Sequence, residues 1–227
     1  MKKQGNKPHS GKKEDYIGFI TKVTTRFLTQ FDRNFFTSIE LLTKILDKRD
    51  RYTHNHSRNV AKYSVAIAER MGLSSKEKEM VRYASLLHDV GKMAIDMSIL
   101  QKKGKLTGTE WKEIKIHTRI GAEIAGKIKS LTDIGPTILH HHERYGGGGY
   151  PNPDLKNNDI PLTARIVTCA DAYDAMRSDR TYRKALPKEE AIDELVSCSG
   201  TQFDPDIVKI LLSVIEEEEC DTIAYDL

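Results

Sequence analysis

Cysteine is scarce in this chain: Cys169, Cys198 and Cys220 stand at wide, unpatterned spacing. They build neither a disulfide framework nor a zinc knuckle, so they are expected to be reduced and partly buried. Long apolar runs are missing too. None approaches the ~18 uncharged residues that suggest a membrane span, and the N-terminus has no apolar signal-peptide core. The sequence thus points to a cytoplasmic protein with no membrane partner. Charge of one sign is also lacking, since 36 Lys and Arg face 33 Asp and Glu for a net +3. That is too little to argue for a nucleic-acid polymer as partner. Much of the excess sits in Lys2, Lys3, Lys7, Lys12 and Lys13, which read as a solvated, disordered basic tail over residues 1–15. Proline is scarce between Tyr16 and Ile134, and no stretch alternates as a strand would.

What is present is helical periodicity. With 38% hydrophobic and 30% charged residues over 227 positions, the chain can bury a core. Ile20, Phe27, Phe31, Phe35, Ile39, Leu42 and Leu46 recur at threes and fours, as on one helical stripe. This predicts an N-terminal helical extension over 16–48, which either packs on the rest of the domain or serves as a homodimerisation or signalling helix. A helix is predicted from His56 to Met71, stopped by Gly72. The next is capped by Ser74 or Ser75 and carries His88 before breaking at Gly91. Thr107 and Glu110 form a capping box for a helix that carries His117 and continues to about Ile128. A short helix ends in His140-His141-His142, four glycines follow from Gly146 to Gly149, and the segment 151–160 is polar and irregular. A long helix from Pro161 carries Asp171 and Asp174. Pro187 and Asp204-Pro205 open the last two, and residues 216–227 read as a solvated acidic end.

Seven of the eight histidines fall between residues 54 and 142, several of them beside Asp. A lone histidine on a helix is usually a packed or surface residue. A cluster with carboxylates is the ligand chemistry of hydrolytic transition metals such as iron, manganese and zinc. The central element is His88-Asp89-Val90-Gly91-Lys92. Adjacent helical positions diverge by about 100°, so His88 and Asp89 reach neighbouring metals in one cleft, with two-oxygen Asp89 as a bridge. Lys92, four residues after His88, is expected on the same face, where it meets an anionic substrate.

Read together, Tyr52 to Ser57, HDVGK (88–92), LTGTEWKEIKIHTRIGAEI (106–124), HHERYGGGGYP (141–151), IPLTARIVTCADAYDAMRSDRTYR (160–183) and FDPDIV (203–208) resemble the HD-GYP phosphodiesterases. The resemblance covers about residues 50 to 210, in order. It implies an all-α HD-domain helical bundle over 49–215 with a metal cluster in its central cleft. It also implies seven ligands: His56, His88, Asp89, His117, His141, His142 and Asp171. Lys92 and Asp89 would serve catalysis. Lys92, Asp174, Arg180 and Arg183 would serve the substrate, the arginines by gripping phosphate and guanine with planar forks. His54 and His140 fall outside the pattern and are expected at the surface. Gly147, Gly149, Tyr150 and Pro151 match the signature loop, and with no strand before them a dinucleotide-binding turn is rejected.

The sequence departs from the family in four places, one of them the segment 151–160, about one residue longer than common. Tyr52 stands where some members have a third-metal Glu, so two ions are expected, iron or manganese first. Gly146 replaces the loop's usual Asp, and Asp96-Met97 replace Pro-Asp. The implied activity is hydrolysis of a cyclic dinucleotide, cyclic di-GMP above all, to the linear dinucleotide. A metal pair would supply a nucleophile near neutral pH and draw charge from the phosphate. Two alternatives stay open: a cyclic-dinucleotide sensor without turnover, and an HD phosphohydrolase of other nucleotides.

Overall fold

The computed structural model describes residues 10–30, 35–49, 55–179 and 184–225, and among these every regular element is helical. Two helices form the extension, α1 (Ser10–Gln30) and α2 (Phe35–Arg49). The single stripe expected over residues 17–46 is therefore shared between two helices. α1 starts inside the segment expected as tail. Ile39, Leu42 and Leu46 are buried in the core, with Ile17 and Ile20 packed against it. That part of the stripe packs within the chain.

Next come α3 (His56–Arg70) and α4 (Ser75–Leu87), the most extensively paired helices of the fold. Gly72, with φ of +71°, turns the chain between them at a conformation other residues resist. Ser74 and Glu77 then close a reciprocal capping box on α4. α4 ends at Leu87, and Val90–Ala94 form a 3-10 turn before the four-residue α5 (Met97–Leu100). Asp96 caps α5 by accepting from the Ser98 N–H at 2.7 Å, which gives that departure from the family pattern a local function. α6 (Gly108–Lys115) opens on the Thr107–Glu110 capping box. It stops before Ile116, and α7 (His117–Gly126) begins afresh, so the continuous helix expected to Ile128 is two.

A 3-10 segment, Lys129–Ile134, leads to α8 (Gly135–His140), and the glycine loop leads to α9 (Leu162–Arg177). Ala164, Ile166, Val167, Cys169, Ala170, Tyr173 and Met176 are all buried, so α9 is apolar around most of its girth and runs through the interior. α10 (Lys188–Ser197) and α11 (Pro205–Tyr225) pack on it. The acidic end is continuous with α11 and not a separate segment. Cys169 is buried and Cys198 half-buried, both as free thiols, and burial pushes the Cys169 thiol up.

Two apolar clusters result. One joins α2, α4, α7 and α8 with the 3-10 segments, and the other joins α3, α9, α10 and α11. The chemically loaded residues project from elements of both. At one point the packing is backbone on backbone: a Cβ on Gly91 would sit 1.9 Å from the His117 carbonyl oxygen and 2.7 Å from the Gly121 nitrogen. Only glycine lets the 3-10 turn lie this close to α7.

Candidate metal centre

Three of the histidines sit at helix ends. His88 is the C-cap of α4, His141 the C-cap of α8, and His117 follows the C-cap of α6. Each donates its Nδ1–H to a carbonyl in the last turn of that helix, at 2.7 Å: His88 to Ser85, His117 to Ile114, His141 to Ile138. A carbonyl oxygen only accepts, so the proton is on Nδ1 and the lone pair on Nε2. In all three rings that Nε2 is buried without a hydrogen-bond partner. The last four carbonyls of a helix lack intrahelical partners and carry its partial negative charge, so three such ends favour a cation.

The fourth ring, His56, opens α3, and its Nδ1 lies 2.7 Å from Asp174 Oδ2. Its Nε2 is 3.3 Å from Asp171 Oδ1. Asn59 also donates to Asp174, at 2.8 Å. Asp174, expected at the substrate, is thus buried behind His56 with both oxygens engaged. It orients the ring and is not placed to touch a ligand. His142 stacks on Tyr150 of the glycine loop, ring centroids 4.7 Å apart, and on His141 at 4.0 Å.

The seven residues expected as ligands come together in two groups, His56–His88–Asp171 and Asp89–His117–His141–His142, with donor atoms inside each within 4.8 Å. Asp89 lies between the groups. Its Oδ2 is 3.3 Å from His88 Nε2 and its Oδ1 is 3.4 Å from His117 Nε2. Lys92 reaches Asp89 Oδ2 at 2.7 Å and is buried. α4 has ended by then, so the 3-10 turn and not a shared helical face brings Lys92 in, and it comes to the carboxylate. Tyr52, His54, Arg180 and Arg183 lie outside the described residues. His140 is not at the surface: its side chain is only 19% exposed and lies 3.5 Å from Glu143.

The electrostatics suit metal binding. Burial opposes the charge on Asp89, but Lys92 and His88 outweigh it and hold the carboxyl well below its usual range. Asp171 is likewise held low, against burial, by His56 and His88. Burial pushes His117 down to about 4 and His142 to about 3, and it lowers His141 strongly as well. At neutral pH these groups are ionised carboxylates and neutral imidazoles, the forms that bind metals. His56 and His88 differ: burial disfavours their charge, yet Asp171 and Asp174 raise His56 to about 10, and Asp89 and Asp171 raise His88. Each must give up its second proton to become a ligand. Unpartnered Nε2 atoms, fixed tautomers and ionised carboxylates together fit a metal pair.

Beside His142 opens a cavity of about 440 Å³. Trp111, Lys115, Arg144, Tyr150 and Gln202 line it. Its roof is the glycine loop. Tyr145 and Gly146 donate backbone N–H groups to Gln202 and Thr201, and Tyr150 donates to His142, at 2.8–3.1 Å. A Cβ on Gly146 would come within 3.1 Å of the Thr201 oxygen, so glycine there lets the loop lie close on residues 200–202. The Tyr150–Pro151 bond is cis. Glu143 supports the loop from below, its Oε1 accepting from the Asn152 N–H at 2.7 Å. Of the lining residues, Trp111 and Lys115 are four residues apart on α6, and Lys115 is two before His117.

Residues 40–207 match the HD domain family. The chain belongs to that family. The likeness to HD-GYP proteins read from its motifs stands with it, since the curated relatives are of that kind. The chain is 38% identical over 200 residues to the cyclic di-GMP phosphodiesterase of Thermotoga maritima, covering 87% of this chain and 54% of that protein. It is 39% identical over 186 residues to the 3'3'-cGAMP-specific phosphodiesterase 2 of Vibrio cholerae, covering 80% of this chain and 35% of that one. Among solved structures, a cyclic GMP-AMP phosphodiesterase of Vibrio cholerae superposes with a TM-score of 0.62 at 21% identity, over 77% of this chain and 47% of that chain. This HD-domain chain spans about half, or less, of the length of these relatives. No described helix is long and apolar enough to cross a membrane.

Proposed function

We propose that this HD-domain chain is a binuclear metal-dependent phosphodiesterase that opens a cyclic dinucleotide, cyclic di-GMP first, to the linear dinucleotide. The observation that carries this reading is Asp89, whose two oxygens face His88 of one ligand group and His117 of the other at 3.3 and 3.4 Å. His56, His88 and Asp171 would hold one ion, His117, His141 and His142 the other, with Asp89 shared. Bound there, iron or manganese would supply a nucleophilic water near neutral pH and draw negative charge from the phosphate.

The chain's own residues do the rest. Lys92 keeps Asp89 ionised, and the Ser85, Ile114 and Ile138 carbonyls keep three Nε2 lone pairs turned to the metals. Asp174 fixes His56 from behind. Arg180 and Arg183 would grip the phosphate and a guanine edge. Hydrolysis adds water across one P–O bond: the hydroxyl joins phosphorus, and the departing sugar oxygen takes the proton. The result is a linear dinucleotide with a 5'-phosphate. The names of the relatives support a cyclic dinucleotide as substrate, and they divide between cyclic di-GMP and 3'3'-cGAMP.

The test is turnover by purified protein loaded with manganese or iron, with products followed by chromatography and metals counted. Two ions per chain and accumulation of the linear dinucleotide are expected. Tight binding without turnover would instead make the protein a sensor, and hydrolysis confined to nucleoside polyphosphates would overturn the reading.

A further inference from the structure

The ligand groups account for where a phosphate would sit and leave unexplained the cavity next to them. Its lining is unusual for a surface hollow. Trp111, the sole tryptophan of the chain, is 47% exposed there. Lys115, one turn further along α6 and so on the same face, holds its ammonium 5.0 Å over the Tyr150 ring. Tyr150 in turn stacks on His142. Across the cavity, Arg144 Nη1 donates to Gln202 Oε1 at 2.9 Å.

We propose that this cavity is a nucleobase subsite that selects guanine over adenine, with Trp111 as stacking platform and the Arg144–Gln202 pair as the reader of the base edge. The inference rests on the cyclic-dinucleotide reading above. The first argument is placement. His142 belongs to a ligand group and also forms a wall of the cavity, so a nucleotide whose phosphate is held at that group has its sugar and base directed into the adjoining space. About 440 Å³ is within the range of small-ligand pockets.

The second is the wall. A half-exposed indole in a concave site is a ready face for a flat base, and such stacking is indifferent to which base it receives. Lys115 lines the same cavity as Trp111 and His142, where its charge would meet the backbone phosphate of a nucleotide. Its hold on Tyr150 keeps the ammonium in place.

The third argument gives the selectivity. The Arg144 bond occupies the Gln202 carbonyl oxygen and leaves the amide NH2 and the other guanidinium N–H groups to donate. Guanine offers O6 and N7, two adjacent acceptors, to such a pair. Adenine offers N7 beside an N6 donor, which an Arg donor meets head-on. The carboxylate nearest the cavity does not reverse this preference. Glu143 lines the cavity with no exposed side-chain surface; its Oε1 accepts from Asn152, and its buried Oε2, which has no partner, would accept from the N1–H and N2–H2 of guanine as readily as from an adenine amine.

The experiment uses the metal-loaded chain, with KM for cyclic di-GMP and the competitive inhibition constant of cyclic di-AMP measured on each variant. The wild type is expected to favour cyclic di-GMP. Arg144→Leu should cut that preference about tenfold or more, and Gln202→Leu should act in the same direction. Trp111→Ala should weaken both ligands about tenfold with their ratio little changed, and Trp111→Phe should restore most of the loss. Arg144 is exposed, so its replacement leaves folding intact, and melting temperatures are recorded alongside.

A wild type that binds the two ligands equally, or an Arg144→Leu chain that keeps the preference, overturns the inference while the phosphodiesterase reading stands. Unchanged KM in Trp111→Ala does the same. If the wild type cleaves bis(p-nitrophenyl) phosphate but no cyclic dinucleotide, both fall together.

Discussion

Gly91→Ala adds one methyl group at the tightest backbone approach that a glycine makes in this protein. Its Cβ would lie 1.9 Å from the His117 oxygen, where real Cβ contacts do not fall below 3.0 Å. The 3-10 turn must therefore back off α7 by roughly 1.1 Å. Neither neighbour is a flexible side chain, since the His117 carbonyl and the Gly121 nitrogen are both backbone. Overpacking of this kind costs about 1–3 kcal/mol, and two rigid partners argue for the upper end. For a chain of this size that is a fall in melting temperature of roughly 6–12 °C. The functional cost should be larger than the stability cost. Asp89 precedes the turn and His117 opens α7, and their atoms stand 3.4 Å apart. An ångström of separation pulls one ligand group from its carboxylate. Calorimetry and metal counting on the same preparation test this. Wild-type melting with a full complement of two metals would refute the reasoning, because it would show that turn and helix separate freely.

Asp89→Ala removes the carboxylate between the two groups and is expected to abolish metal binding and turnover together; retention of both ions with full activity would show the assignment wrong. Asp174→Asn keeps the shape but removes the charge that accepts the His56 Nδ1–H, and outer-shell changes of this type weaken metal affinity about 10- to 100-fold, readable by competition with a chelator. Arg180→Ala and Arg183→Ala should each raise KM for cyclic di-GMP about tenfold or more, as loss of a charge-assisted contact implies, while metal content and melting temperature hold. In the metal-free chain the pH dependence has opposite signs on the two sides of neutrality. His117 and His142, pushed down by burial to about 4 and about 3, stay neutral in the fold while the unfolded chain takes up protons, so stability falls as pH drops below about 6.5. His56, raised to about 10, stabilises the fold fully below about 6.5 and loses that contribution as pH climbs toward about 10. Melting temperature after chelation should thus peak near pH 6.5, and a profile still rising at pH 9 would contradict it.

Helix content and most helix limits were legible because caps and periodicity act locally. Gly72, Ser74 and the Thr107–Glu110 box do in the structure what their chemistry dictates in any sequence. The residue types at the centre were legible too, through motifs whose order and spacing survive without any structure. What could not be read was how each ligand is aimed. Lys92 was placed by helical spacing from His88, but α4 stops one residue before His88 and the 3-10 turn takes over. Asp174 was placed at the substrate because it lies one turn from Asp171. That same turn carries it behind His56, where Asn59 and Ser178 also donate to it.

The break at Ile116 shows most clearly why sequence periodicity falls short. A helix running unbroken from Thr107 through His117 would commit the Ile114 carbonyl to the next turn's N–H. Ending α6 at Lys115 leaves that carbonyl to the Ile116 N–H and to His117 Nδ1, the latter at 2.7 Å. His88 and His141 repeat the device at the ends of α4 and α8. In each case a helix terminus leaves a backbone carbonyl outside the regular helical ladder. The histidine beyond it donates Nδ1–H to that carbonyl and turns Nε2 away from it, buried. Apolar spacing around Ile116 is the same whether or not the helix breaks there, so periodicity is blind to the feature that turns a buried histidine into a ligand.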